Sequence, residues 1–405
     1  MTAHVGAVDE VQRLVDELAD ELGRSIVVND PGMHLLHVTR HFADEDPVRV
    51  RAVLQRDPGA AVAAYVLGLG VARWTEPGVV PPDDGLGLRR RVCVPIRQGA
   101  RLLGLLLVID ADDTLTPDEL GRLRAVAEII GTCLAERELE AARTSAAVER
   151  HAAALLDGRP EERAEAHRAL VAGGLPDAPH AVVTVVEARA AVRAGELTRA
   201  LRSAATAHLR RGLRPGLSVV AAGRVRLVEV GPRPDDREAV AAVARRLVAA
   251  VRSAVGPTNE VRAGVGGDVP GLLAAERSAA EAALAVRGAW SLARHGGTAR
   301  IEDVADHAVL LRLPDSALGP DLVPEGLRRL VEHESGPRLR TTLEVFLDLA
   351  GSVPRTAERL HLHRTSLYYR LRQIAEITGA DLDDGSARLV LHQGLRALEL
   401  LEQRS

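Results

Sequence analysis

The sequence predicts a multidomain α/β protein that ends in an all-α domain. Three observations carry this expectation. Strand-like and helix-like stretches alternate in two separate blocks before about residue 315. A charge-rich helical stretch of roughly forty residues lies between the two blocks. From Pro324 onward the apolar spacing is purely helical.

Composition bounds what these blocks can be. The chain has 405 residues, room for two to four domains, and its 46% hydrophobic and 27% charged residues exclude a disordered chain. Aromatics make up only 2%, so Leu, Val and Ala must build the cores. A net charge of −4 excludes a general attraction to nucleic acid or anionic membrane, so any DNA-binding surface has to be local. All 52 basic residues are arginine. The two cysteines, Cys93 and Cys133, are too few for a disulfide framework and read as small buried hydrophobes. No basic segment followed by an apolar run opens the chain, and the longest apolar run, Leu102 to Ile109, cannot span a bilayer. The expectation is a cytoplasmic protein with no membrane partner.

In chain order, residues 8–23 repeat apolar positions at helical spacing and stop at Gly23. A hairpin signal follows, Ser25–Asn29 and Met33–Thr39 around Asp30-Pro31-Gly32. Then come a helix near Pro47–Gln55 and a second hairpin, Val92–Ile96 with Leu102–Ile109. This helix–hairpin–helix–hairpin order, over roughly residues 8–136, resembles a GAF-type sensor domain, placed at residues 1–136, and a PAS-like domain shares much of the pattern. The resemblance implies a small-molecule effector held between sheet and helices, with His34, Tyr65 and Trp74 as candidate lining residues. The alternative is that these three are ordinary core or edge residues. No His, Cys and carboxylate cluster has metal spacing, and no cofactor is expected.

Thr116-Pro117-Asp118-Glu119 is a helix start with cap, N1 proline and capping-box glutamate. The helix it opens, continuing as a connecting segment over 137–176, is either one long helix or two with a break. Its apolar repeat weakens after Ala135, so pairing across a dimer through it is left open.

Residues 177–315 alternate again, with a hairpin around Gly223-Arg224. Their order resembles the degenerate GGDEF-like domain in the middle of PucR/CdaR-type regulators. Cyclic-dinucleotide synthesis would need carboxylates for a divalent metal and glycines for phosphate on that hairpin. AAGRVRLVEV offers one glycine, with Arg224 and Arg226 where acids are needed. A Gly266-Gly267-Asp268 triplet follows a strand and precedes a helix, and reads as turn chemistry. No enzyme activity is expected.

Residues 324–405 carry the most specific pattern. Pro354 opens a short helix, His361-Leu362-His363 turns, and Arg364–Thr378 forms a second helix stopped by Gly379. Ala357, Leu362, Leu367, Leu371 and Ile374 fall on the inward positions of a helix-turn-helix. The outward row is then Arg364, Thr365, Ser366, Tyr368, Tyr369, Arg370 and Arg372, with Tyr369 partly turned to the core. Between Arg355 and Arg372 stand five arginines against one acid, Glu358. Such a surface binds phosphate and reads base edges. We assign DNA contact to Arg355, His363, Arg364, Thr365, Ser366, Tyr368, Tyr369, Arg370 and Arg372.

The stretch LRTTLEVFLDLAGSVPRTAERLHLHRTSLYYRLRQIAEITGADL resembles the C-terminal helix-turn-helix of the PucR/CdaR family of bacterial transcription regulators. Thr342-Leu343, Thr356-Ala357 and His363-Arg364…Tyr369-Arg370-Leu371 carry the match. Thr365, Ser366 and Tyr368 depart from the residues common there, which changes the target sequence the family would read. The resemblance implies a regulator that binds double-stranded DNA as a homodimer or higher oligomer, under an unknown effector. Two other classes stand beside it: an adaptor whose helical C-terminal domain binds a protein, and a nucleotide-cyclising enzyme.

Overall fold

A computed structural model describes residues 3–44, 46–189, 192–212, 214–234, 236–292 and 296–403. The chain divides into two compact units, Met1–Ala146 and Ala147–Ser405. Both α/β blocks and the helical C-terminal domain are present as the sequence predicts.

In the first unit, helix α1 (Ala3–Leu22) precedes strands β1 (Ile26–Asn29) and β2 (Leu35–Val38). Helices α2 (Pro47–Gln55) and α3 (Ala60–Gly68) lead to β3 (Gly78–Val80), β4 (Arg91–Gln98) and β5 (Arg101–Ile109). The five strands form one sheet in the order β2-β1-β5-β4-β3, antiparallel throughout. Strand β5 is central and buried from Leu103 onward, which explains its unbroken apolar sequence. Helix α3 and strand β3 are not anticipated by the sequence reading. AAVAAYVLG is apolar on all sides, so it carries no helical stripe to recognise.

Helix α4 (Pro117–Asp157) is one continuous helix. Its start is the expected capping box: Glu119 N–H donates to Thr116 Oγ1 at 3.3 Å, and Thr116 N–H donates to Glu119 Oε2 at 2.8 Å. After Gly158 a separate helix α5 (Pro160–Ala172) begins.

The second unit opens on a mixed sheet. Its strands are β6 (His180–Arg189), β7 (Gly216–Ala221), β8 (Arg224–Gly231), β9 (Glu260–Val265), β10 (Val269–Pro270) and β11 (Thr298–Arg300). The order is β11-β9-β6-β8-β7, with β10 paired to the start of β6 and only β11–β9 parallel. Helices α6 (Ala194–Arg211) and α7 (Arg237–Val255) cover one face. Helix α8 (Ala275–Ser291), α5 and the end of α4 cover the other. Strand β8 splits its side chains accordingly: Val225 and Leu227 face α6 and α7, while Val228 and Val230 face α8.

The C-terminal domain consists of α9 (Glu325–Glu332), α10 (Gly336–Asp348), α11 (Val353–Arg359), α12 (Arg364–Thr378) and α13 (Gly385–Glu402). Leu327, Leu343, Phe346, Leu367, Ile374 and Leu395 centre its core. The last helix is expected to bury Leu389, Leu391, Leu395 and Leu398. Leu391 and Leu395 are buried and Leu398 packs partly, but Leu389 faces solvent. A seam of small and aliphatic residues, Ala285, Ala289, Leu292, Val304, Leu311 and Leu400, joins α8 to the end of α13.

Candidate nucleic-acid interface

The helix-turn-helix is α11, a four-residue turn and α12. Ala357, Leu367, Leu371 and Ile374 are buried as the spacing requires, while Leu362 is half-buried. The turn closes α11 with two bonds. His361 N–H donates to Glu358 O at 3.1 Å, and Leu362 N–H donates to Ala357 O at 2.9 Å. This is the Schellman arrangement, and it places His361 in the left-handed region at φ +50°. That is the position where a glycine would be free of strain. Helix α12 starts at His363, whose Nδ1 accepts the Thr365 N–H, and ends at Gly379, φ +70°.

The outward face is open. Arg364, Thr365, Ser366 and Arg372 are exposed, with Tyr368 and Tyr369 at 57% and 63%. Tyr369 therefore faces solvent with the greater part of its surface. Arg355 and His363 are exposed at the flank. Arg370 departs from the expected row. It is half-buried, and its Nη1 donates to the hydroxyl of buried Thr342 on α10 at 3.2 Å. Burial, then the like charge of Arg338, pulls its guanidinium below the ordinary arginine value.

The arginines of the helix-turn-helix differ in pairing from several others of this domain. Arg355, Arg359, Arg364 and Arg372 form no hydrogen bond or ion pair with any described residue. Behind them, Arg340 pairs with Glu402, Arg388 with Asp383, and Arg396 with Asp306, Glu344, Asp348 and Glu399. Arg329 on α9 and Arg338 on α10 are also exposed and unpaired, so free positive charge is concentrated on the face that presents α12 without being confined to it. Free guanidinium groups beside hydroxyls at a helix N-terminus are the chemistry that holds phosphate and reaches base edges.

The three candidate effector residues lie in the first unit and are not brought together. Tyr65 and Trp74 both pack on the cluster of Met33, Val62, Val66, Val80 and Leu105. Tyr65 donates to Pro81 O at 3.3 Å, and Trp74 lies against Gly78. His34 stands in the β1–β2 turn with its side chain 75% exposed, its Nδ1 3.0 Å from Asp30 Oδ2. Cys93 is buried on β4, which pushes its thiol up to about 12, and Cys133 is half-buried.

In the middle domain the β7–β8 hairpin turns through Ala222 and Gly223, both at positive φ. Arg224 pairs with Glu187 at 3.2 Å, and Arg226 makes two bonds to Asp157 at 2.6 and 2.7 Å. Among the described residues no group of three or more His, Cys, Asp or Glu is placed to hold a metal ion. The Gly266-Gly267-Asp268 triplet is a packing turn. A side chain on Gly266 would meet Ser278 O at 2.0 Å, Gly267 N–H donates to Glu281 at 2.8 Å, and Asp268 pairs with His180 at 2.7 Å.

Residues 339–397 match the PucR C-terminal helix-turn-helix domain, and residues 157–287 match the GGDEF-like domain. The chain carries a PucR-type helix-turn-helix domain. A relative of similar length is the proline-responsive transcriptional activator PutR of Bacillus subtilis, 22% identical over 96% of this chain and 97% of that one. The uncharacterized protein Rv2242 of Mycobacterium tuberculosis is 34% identical over 29% of this chain and 27% of its own. Among solved structures, a regulator of polyketide synthase expression from Bifidobacterium adolescentis aligns over 64% of this chain and 98% of its own, at 18% identity and a TM-score of 0.31. A PucR helix-turn-helix behind a GGDEF-like domain makes this chain a transcription regulator.

Proposed function

We propose that the protein binds a specific DNA sequence through the outward face of α12 and so regulates transcription. The cluster of unpaired arginines Arg355, Arg359, Arg364 and Arg372 around Thr365, Ser366, Tyr368 and Tyr369, beside the paired Arg340, Arg388 and Arg396 of the same domain, carries this reading. Arg364, Thr365, Ser366 and Tyr368 read base edges. Arg355 and Arg372 hold phosphate, His363 and Tyr369 flank the contact, and Arg370 positions α12 against α10. One recognition helix covers few base pairs, so two-fold pairing on a repeated half-site supplies the remaining affinity, and the working species is a homodimer or higher.

The domain order in this reading is a sensor over residues 1–136, a connecting segment over 137–176, the GGDEF-like domain over 177–315 and the reading head over 324–405. An effector acts on the sensor. Proline, named for the full-length relative, is the first compound to test. The protein works in the cytoplasm, and no helix among the described residues is long and apolar enough to cross a membrane. It is not a nucleotide-cyclising enzyme, because Arg224 and Arg226 stand on the hairpin that would hold the metal.

Fluorescence anisotropy on the purified chain tests the central claim. The duplex from its own promoter region is expected to bind at least tenfold tighter than random DNA of equal length at physiological salt. Equal binding to both overturns sequence-specific recognition.

A further inference from the structure

Strand β8 breaks its own pattern on the face toward α6 and α7. Val225 and Leu227 point into that core, and the next residue on the same side is Glu229, 5% exposed. Its neighbours across the sheet are Gly216, which has no side chain, and Val182. Glu229 Oε1 lies 3.0 Å from His208 Nε2 on α6, and both side chains are largely withdrawn from water. A buried pair of this kind rarely adds stability over apolar residues of the same size, because both groups lose their hydration. A carboxylate at an inward strand position calls for a reason other than packing.

The pair forms the floor of a cavity of about 440 Å³ between α6 and α7. That volume falls in the range of small-molecule sites. The walls are short apolar side chains, Ala204 and Ala207 on α6 and Ala242 and Val243 on α7. At the rim stand Arg211 and Arg246, both exposed, and neither bonds to any described residue. The surrounding segment is rich in arginine. Residues 193–252 hold thirteen arginines against five acids, in a protein of net charge −4.

We propose that this groove is a ligand site for a small organic anion. Its carboxylate or phosphate head is held by Arg211 and Arg246, and its apolar body lies on the alanine walls. Glu229 is an acceptor at the floor for an inward-facing hydroxyl or N–H of the ligand. The site is separate from α12 and does not depend on how DNA is read.

Thermal unfolding of the full chain tests the proposal, with phenyl phosphate in one arm and phenylacetate in the other, and sodium chloride holding ionic strength constant. A saturating rise in Tm is expected with at least one probe, and the arm in which it occurs names the head group. The double variant Arg211→Ala/Arg246→Ala is expected to shift the midpoint at least tenfold. Ala242→Phe, which fills the groove and keeps every charge, is expected to abolish the rise. Arg364→Ala/Arg372→Ala is expected to leave it unchanged, which separates the groove from the DNA face. Circular dichroism confirms that each variant is folded. No saturating rise with either probe, or the same rise in the groove variants, overturns the proposal.

Discussion

Arg370 donates from Nη1 to the hydroxyl of Thr342 across the α10–α12 contact, at 3.2 Å. Thr342 is fully buried and itself donates to Arg338 O at 2.8 Å, so its oxygen is committed on both sides. Arg370 is thereby a brace for the recognition helix, while Arg372, two residues on, points to solvent. The two arginines should separate in one experiment. Arg370→Ala is expected to lower stability by about 1 kcal/mol through the lost bond and stem packing, with the salt slope of DNA binding nearly unchanged. Arg372→Ala is expected to leave stability within about 0.5 kcal/mol and to reduce that slope by about 1. Urea unfolding and log K against log salt read the two effects. Equal slopes for wild type and Arg372→Ala would remove Arg372 from the phosphate contacts.

His361 sits at φ +50° in the Schellman turn between α11 and α12. A side chain in the left-handed region costs roughly 1 kcal/mol or more, and glycine avoids it while losing more chain entropy on folding. The balance favours glycine here, so His361→Gly is expected to raise stability by about 0.5 kcal/mol. Chemical denaturation of the full chain measures it. A loss of more than 1 kcal/mol would mean that the imidazole makes a contact of greater worth than the strain.

These two positions show where the sequence is readable. Ala357, Leu367, Leu371 and Ile374 follow from helical spacing alone, because their burial depends only on which side of α12 meets the core. Arg370 lies three residues after Leu367, at the edge of that side, and the placement of α10 decides its role. His361 stands where many helix-turn-helix units place glycine, so the departure is legible in the sequence, while its φ of +50° is not. In the first unit, α3 is missed because AAVAAYVLG has no polar face, and His34 is separated from Tyr65 and Trp74 because a turn residue next to Asp30 points to solvent. Glu229 was readable in principle. Val225, Leu227 and Glu229 share one face of an alternating strand, and a carboxylate there is the signal.

Asp46 gives the first unit a pH dependence with a definite sign. Burial alone would raise its carboxyl, but Arg91 at 2.7 Å on both oxygens and the backbone N–H groups of Arg89 and Arg49 outweigh burial and hold it below the ordinary value of 3.8. A carboxyl depressed on folding adds stability that is present above its unfolded value, about 3.9, and is lost as pH falls through the folded value. Stability should therefore decline below about pH 4. Asp46→Asn is expected to flatten part of that decline and to cost about 3 kcal/mol at neutral pH, since Arg91 is left buried without its partner. Asp110, held down against its burial by the Thr114 N–H and then by Arg90 and Arg24, keeps some acid slope in the variant. Acid titration of unfolding for both proteins decides it, and parallel curves would exclude Asp46 as a source.

Arg396 is the residue most able to tie the reading head to what precedes it. Its guanidinium, 11% exposed, reaches Asp348 at 2.7 Å and Glu344 at 3.4 Å on α10, Asp306 at 3.3 Å on the segment before the helical domain, and Glu399 at 3.7 Å on its own helix. Buried His307 sits in the same network, with Nδ1 2.8 Å from Asp306 and Nε2 3.1 Å from Glu399. Arg396→Met keeps much of the stem and removes the charge that holds four carboxylates together. Each partner is 23% to 43% exposed, so water relieves part of the repulsion and the expected loss is about 2 kcal/mol, less than for a fully buried pair. The loss should be local. Hydrogen exchange is expected to speed at least tenfold in residues 301–312 and in the last two turns of α13, while α12, anchored by Leu367 and Ile374, keeps its protection. Exchange that speeds equally across the whole C-terminal domain would show that Arg396 supports the fold at large and does not couple that segment to the reading head.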